Sequence, residues 1–240
     1  MRSLFRIILH RGVIVLLCLV LCLPFCGWIA RAESAGLDVT FLQCDDRWKD
    51  VQVGTLTIAQ SACSIAAICN VVYYLTGREM DLVETAYWAN KAGLLNAGGV
   101  EGAYRSVFYH SGEAYGEEYG YTATSFQGGS IRSQALIDHL RSGQTAVLHV
   151  TGHFMAAIGY DEATGRYLII DPMPGDVGRY DLRRKGLTHS DGDWLTAEQL
   201  SEGYIAVDGY VLFYRILSES EREAILPAVT SASLAGLRAE

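Results

Sequence analysis

The sequence predicts an α+β fold, with a helical first half packed on an antiparallel sheet from the second half. Three observations lead there. Residues 63–143 hold four segments with helical spacing of apolar side chains, each closed by a glycine. From residue 145 the pattern changes to short β-rich runs: "TAVLHV", "HFMAAIGYD", "RYLIID" and "GYVLFYRIL". Helices first and strands afterwards separate into layers, whereas βαβ units would alternate them.

Taken in order, "FLQCDDRWKDVQVG" reads as an extended opening segment with a turn. Ile65, Ile68, Val72 and Leu75 predict a helix over residues 63–75, with Ser61 as its N-cap and Gly77 past its end. "MDLVETAYWANKAG" predicts a second helix closing at Gly93, and "GVEGAYRSVFYHSG" a third closing at Gly112. "SIRSQALIDHLRSG" predicts a fourth, capped by Ser130 and stopped at Gly143. In the β half, "EATG" is a hairpin turn with Gly165 placed for φ > 0. "TAEQLSEG" carries Thr196 and Gln199 at capping-box spacing and predicts a short helix. "MPGDVGRYDLRRKGLTHSDGDW" reads as a surface loop at the rim of a cleft.

Residues 1–32 stand apart. Arg2, Arg6 and Arg11 precede an uncharged apolar run over residues 13–30, and Ala30 and Ala32 flank Arg31. Basic start, apolar middle and small-residue exit predict a signal peptide, and the length of the run also suits an N-terminal membrane anchor. The expected organisation is a leader over residues 1–32, a domain over 33–217 and a C-terminal tail over 218–240. The leader implies a secreted or extracytoplasmic protein, with a membrane as partner only if residues 13–30 are retained.

Four of the 19 basic residues and none of the 27 acidic ones lie in the leader, so the remainder carries a formal charge of −12. Such a surface repels phosphate backbones and argues against nucleic-acid binding. Beyond residue 32 stand Cys44, Cys63 and Cys69. An odd number leaves at least one thiol unpaired, and the absence of a CxxC pair there disfavours structural zinc. The spacing suggests no metal site and implies no cofactor.

Cys63 is open to three readings: a buried filler, half of a disulfide, or a nucleophile. Its place in the first turn of a helix favours a thiolate, because unpartnered N–H groups and the helix dipole both stabilise negative charge. A thiolate nucleophile needs a base, and the base an orienting group. His153 begins one predicted strand and Asp171 ends the next, so a hairpin brings both to its open end. Direct pairing of the two requires a turn centred on Glu162, and Gly165 favours a slightly later centre. His149 is expected to pack or bond within the sheet. His110, His139 and His189 fall near helix ends or in a loop, without metal-ligand spacing.

"LQCDDRWKD", "GTLTIAQSACSIAAICNVVYYLTG" and "GHFMAAIGYDEATGRYLIIDP" together resemble the C39-like cysteine peptidases of the papain-like superfamily. The resemblance covers roughly residues 41–174 and rests on Gln43, Asp45 and Trp48, on Cys63 with Thr76 and Gly77, and on His153, Gly159, Tyr160, Asp161, Asp171 and Pro172. It implies a papain-like fold and hydrolysis of peptide or amide bonds through an acyl-enzyme. The implied site is a Cys63 nucleophile, a His153 base, an Asp171 orienter and Gln43 as oxyanion donor, with Gln60 as the alternative donor. A peptide or protein would be the substrate. The chain departs from the family's usual glycine before the cysteine, where it has Ala62, and carries Cys44 beside Gln43. A reshaped or silent site would leave a domain that binds a peptide or cell-wall component. A different acyl acceptor would make a transglutaminase-like transferase.

Overall fold

The computed structural model describes residues 33–96, 102–176 and 187–217. The leader, the tail over 218–240 and part of the loop after Asp176 lie outside the described residues. The described chain is α+β, with five helices and a large antiparallel sheet. Short strands β1 (Glu33–Ser34), β2 (Gln52–Val53) and β3 (Leu56–Thr57) precede α1 (Ile58–Ser61) and α2 (Cys63–Thr76). Next come α3 (Leu82–Lys91), α4 (Val107–Tyr119), β4 (Tyr121–Ala123), β5 (Gln127–Gly128) and α5 (Gln134–Arg141). The β half is β6 (Thr145–Val150), β7 (His153–Asp161), β8 (Arg166–Ile170), β9 (Asp193–Leu195) and β10 (Val207–Arg215).

The sheet runs β1-β9-β8-β7-β6-β10-β4, with β5 added on β10, while β2 and β3 pair separately. Successive strand residues point to opposite faces. Val147, Phe154, Ala156 and Phe213 therefore join the core under α2, while Leu148, Met155, Ala157 and Leu212 join a second core with Leu136 and Leu140 of α5. The expected layering holds for α2, whereas α5 covers the opposite face of the sheet.

Helix α2 is buried almost all round: every residue from Ser64 to Val72 is covered. A helix enclosed on all sides reads as apolar throughout, and this one packs against β6, β7 and β10. Ile65, Ile68, Val71 and Val72 are fully buried, each contributing about 1.5–3 kcal/mol relative to exposure. Gly77 ends the helix at φ 73°.

Several expectations are corrected. Ser61 closes α1 and does not cap α2; its hydroxyl bonds the Thr57 carbonyl at 3.1 Å and accepts from Asn96 Nδ2 at 2.7 Å. Ser133, not Ser130, precedes α5. Thr196 and Gln199 make both capping-box bonds, at 2.8 and 3.3 Å, yet the segment closes only a 3₁₀ turn over Gln199–Ser201. The third helix continues through Gly112 to Tyr119 and stops at Gly120, φ 76°. Gly112 is not a stop signal; together with Gly116 it lets α4 lie against β4. A Cβ at Gly112 would sit 3.1 Å from the Ala123 nitrogen, and one at Gly116 would sit 2.3 Å from the Tyr121 carbonyl oxygen.

That contact sets a test. Alanine is favoured over glycine inside a helix by about 1 kcal/mol, but overpacking costs about 1–3 kcal/mol and a backbone oxygen cannot swing aside. Gly116→Ala should lower the unfolding midpoint. A midpoint unchanged or raised would show that α4 does not press on β4 as described.

Candidate active site

Cys63 is the first residue of α2. Ala62 links α1 to α2 with φ −96° and ψ 26°, a conformation open to alanine, so no glycine is required before the cysteine. Ala62 accepts the first α2 bond from the Ala66 N–H at 3.0 Å, which leaves the first-turn N–H groups facing forward.

His153 follows a tight turn at Thr151 and Gly152, the latter at φ 66°, and pairs with Val150 across the β6–β7 hairpin. Its Nε2 lies 2.7 Å from Asp171 Oδ1. The ring also shares a hydrogen bond with Cys63, and Nδ1 is the nitrogen Asp171 leaves free for it. Asp171 is fully buried. Its Oδ1 also accepts from the Met173 N–H at 2.9 Å, and its Oδ2 from the Thr188 hydroxyl at 2.9 Å. Cys63, His153 and Asp171 are thus brought together, with Cys63 partly exposed as a residue and the other two covered.

The register that achieves this differs from direct pairing. Asp161 pairs Arg166, so the turn centres between Ala163 and Thr164, and a bulge between Ala157 and Gly159 shifts the ladder. Ile170 then pairs Ala156. Asp171 reaches His153 diagonally, beyond the last paired residues.

The electrostatics form a coupled pair. Burial pushes the Cys63 thiol up. The facing His153 cation, its hydrogen bond and the N–H groups of Phe154 and Ser64 outweigh burial and hold the thiol below its ordinary value. Burial pushes His153 down, but the Asp171 carboxylate and the Cys63 sulfur outweigh it and raise the imidazole to about 9. The other thiols go the opposite way: burial pushes Cys44 up to about 11 and raises Cys69 as well. Cys44, Cys63 and Cys69 are all unbridged.

Gln43 is buried beside this set, but its Nε2 donates to the Ala59 carbonyl at 2.7 Å and its Oε1 has no partner. One amide hydrogen is therefore committed and the second remains. Gln60 is exposed, and its Oε1 accepts from the Thr57 N–H at 2.8 Å to cap α1. It is not brought to the sulfur by any bond. The opening segment is held here by Asn70 of α2, which the sequence reading did not single out. Asn70 Oδ1 accepts from the Phe41 N–H at 2.9 Å and Nδ2 donates to the Phe41 carbonyl at 2.8 Å. The Gln43 N–H then bonds the Pro172 carbonyl at 2.9 Å, tying the segment to Asp171.

The sequence model of the Peptidase_C39 like family matches residues 42–202, two-thirds of the chain. The chain belongs to this family. Among curated proteins nothing matches it. The match encloses Gln43, Cys63, His153 and Asp171 and makes the region a cysteine-peptidase-like domain. It also encloses Thr188, His189 and Asp193, which the sequence reading placed in a surface loop. Thr188 and Asp193 are instead fully buried. Burial raises Asp193 to about 6, although His189 bonds it through Nδ1 at 2.5 Å and through its N–H at 2.8 Å. A Thr-His-x-x-x-Asp run is a weak signal, and its partner Asp171 lies 17 residues from Thr188. Among the described residues no group of His, Cys, Asp and Glu could hold a metal.

The coupled pair predicts how Cys63 reacts. Cys63 should alkylate with iodoacetamide at a pH below the ~8.5 midpoint of a free thiol, because the facing His153 cation holds it down. His153→Ala should move the rate midpoint upward, because burial then acts without the opposing cation. The rate against pH, followed by mass spectrometry of the Cys63 peptide, checks this. An ordinary midpoint that ignores the loss of His153 would remove the ion pair.

Proposed function

We propose that the chain is an exported cysteine peptidase that cleaves peptide or amide bonds through an acyl-enzyme. The observation that carries this reading is the hydrogen-bonded run Cys63–His153–Asp171 at the start of α2, in a member of the Peptidase_C39 like family. The Cys63 thiolate attacks the scissile carbonyl carbon. The oxyanion is met by the Cys63 N–H, which has no helical partner, and by the second Nε2 hydrogen of Gln43. His153, cationic up to about pH 9, gives its Nδ1 proton to the leaving amine. The neutral imidazole then takes a proton from water, whose oxygen attacks the thioester and releases the acid. Asp171 holds the ring through Nε2 and transfers no proton itself.

Turnover of a fluorogenic peptide should therefore vanish in Cys63→Ala and nearly vanish in His153→Ala, while the double variant loses no more than either alone. Asp171→Asn should fold and lose activity less completely. Cys69→Ala should keep most of the activity. Full activity in Cys63→Ala would refute the nucleophile assignment.

Export rests on residues 1–32. N-terminal sequencing of protein recovered from outside the cytoplasm should begin at or near Glu33. An intact Met1 in a membrane fraction would replace export of a free protein by anchoring through residues 13–30.

A further inference from the structure

A run of rings leads away from the nucleophile and ends at a cation. Phe154, whose N–H bonds the Cys63 sulfur, stacks edge-on against His149 at 5.0 Å. His149 meets Phe126 edge-on at 5.7 Å, and the Arg105 guanidinium lies 4.1 Å above the centre of the Phe126 ring. Phe126 and His149 are half-buried and Arg105 is exposed, so the run forms a shelf open at its far end.

The backbone is shaped for it. Strand β10 shifts register between Val207 and Gly209, opposite His149. Bulges re-aim side chains and gather beside active sites. Here the bulged Asp208 turns to His149 Nδ1 and bonds it. Gly209 leaves the space that Phe126 fills: a Cβ there would lie 2.1 Å from the Phe126 ring. His149 Nε2 has no partner among the described residues.

Arg105 stands out in an acidic chain. Arg47, Arg132, Arg141 and Arg166 are each paired with a carboxylate. Arg105 has neither ion pair nor hydrogen bond among the described residues; only the Phe126 face holds it. A guanidinium held flat on a ring keeps its forked N–H donors free for a carboxylate, which it takes bidentately.

We propose that Arg105, Phe126 and His149 form a substrate subsite that binds an acidic side chain, glutamate or aspartate, of a peptide lying across Cys63. The ring faces carry its methylene groups, and Arg105 pairs with its carboxylate. Asp208, already engaged by His149, keeps that ring oriented on the shelf. The subsite rests on the reading of the Cys63 cleft as a peptide site, and its test does not need turnover.

The experiment uses labelled peptides that differ only by Glu or Gln at one position, moved stepwise along the sequence. Binding to Cys63→Ala protein is followed by fluorescence anisotropy. At one position the Glu peptide should bind about tenfold tighter than its Gln partner, and less so as salt rises. In Cys63→Ala/Arg105→Met, which keeps an unbranched stem over Phe126, the ratio should fall to about one. In Cys63→Ala/Arg105→Lys part of it should remain. No Glu preference at any position, or a preference that survives Arg105→Met, overturns the subsite. Turnover separates it from the proposed activity. Arg105-dependent binding with no cleavage by the wild-type chain leaves the subsite standing and removes the peptidase reading. Cleavage indifferent to Glu or Gln removes the subsite alone.

Discussion

The Asp171 carboxylate is fully buried, and much of the site's construction follows from satisfying it. A buried charge is tolerated only when it is paired and hydrogen-bonded, and removing one partner of such a pair costs about 3–5 kcal/mol. Among the described residues its donors include His153 at the start of β7, Met173 just past the aspartate, and Thr188 from the segment before β9. Each of these segments is pinned where its donor reaches the carboxylate. Thr188 also accepts from the Gly175 N–H at 2.9 Å, so one hydroxyl closes the turn after Asp171 while completing its shell. The His153 ring is fixed as a consequence, because an imidazole held through Nε2 leaves Nδ1 in one place.

A second tie works the same way from the helical side. Phe41 lies in the opening segment outside any strand, so its N–H and carbonyl need partners when buried. Asn70 supplies both from the middle of α2, and bonds the Ala66 carbonyl at 2.9 Å as well. A buried amide in an apolar helix is expensive unless fully used, and this one is. Two residues further on, Gln43 is delivered between Ala59 and Pro172. The helix that carries the proposed nucleophile thus also places the residue proposed to receive the oxyanion.

Much of this was legible in the sequence, and what was not has identifiable causes. The helix at Cys63, the β6–β7–β8 meander and the turn at Gly165 come from local periodicity and turn chemistry, which short windows carry. Cys63, His153 and Asp171 were readable because each sits at an element boundary, where side chains meet across a cleft. The bulge at Ile158 was not readable, since a one-residue slip leaves the same apolar letters in place, and it changes opposite neighbours into diagonal ones. Gly112 looks like a stop because the reason for it, and for Gly116, is a strand that follows α4 and presses on it. Thr188, Asn70 and Gly209 were missed on similar grounds. Each acts on a partner 17 or more residues away, and nothing beside it in sequence announces the contact.

The pair at the centre shows why burial and charge coexist here. Burial alone would leave Cys63 a neutral thiol, as it does Cys44 and Cys69, and would leave His153 a neutral imidazole. Neither group can ionise alone at low cost, but transfer of one proton from sulfur to nitrogen makes two charges that neutralise each other across a hydrogen bond. The Asp171 carboxylate on the far side of the ring and the Phe154 and Ser64 N–H groups at the sulfur then stabilise opposite ends of the same dipole. Cys69 lies in the middle of the same helix, away from the free first-turn N–H groups, and there burial and the Asp81 carboxylate both raise it. What separates Cys63, the proposed nucleophile, from a core thiol is its place in the first turn together with the hairpin that brings His153 over it. The protonation states of the two residues are therefore a property of the pair, set by how well β7 docks on α2.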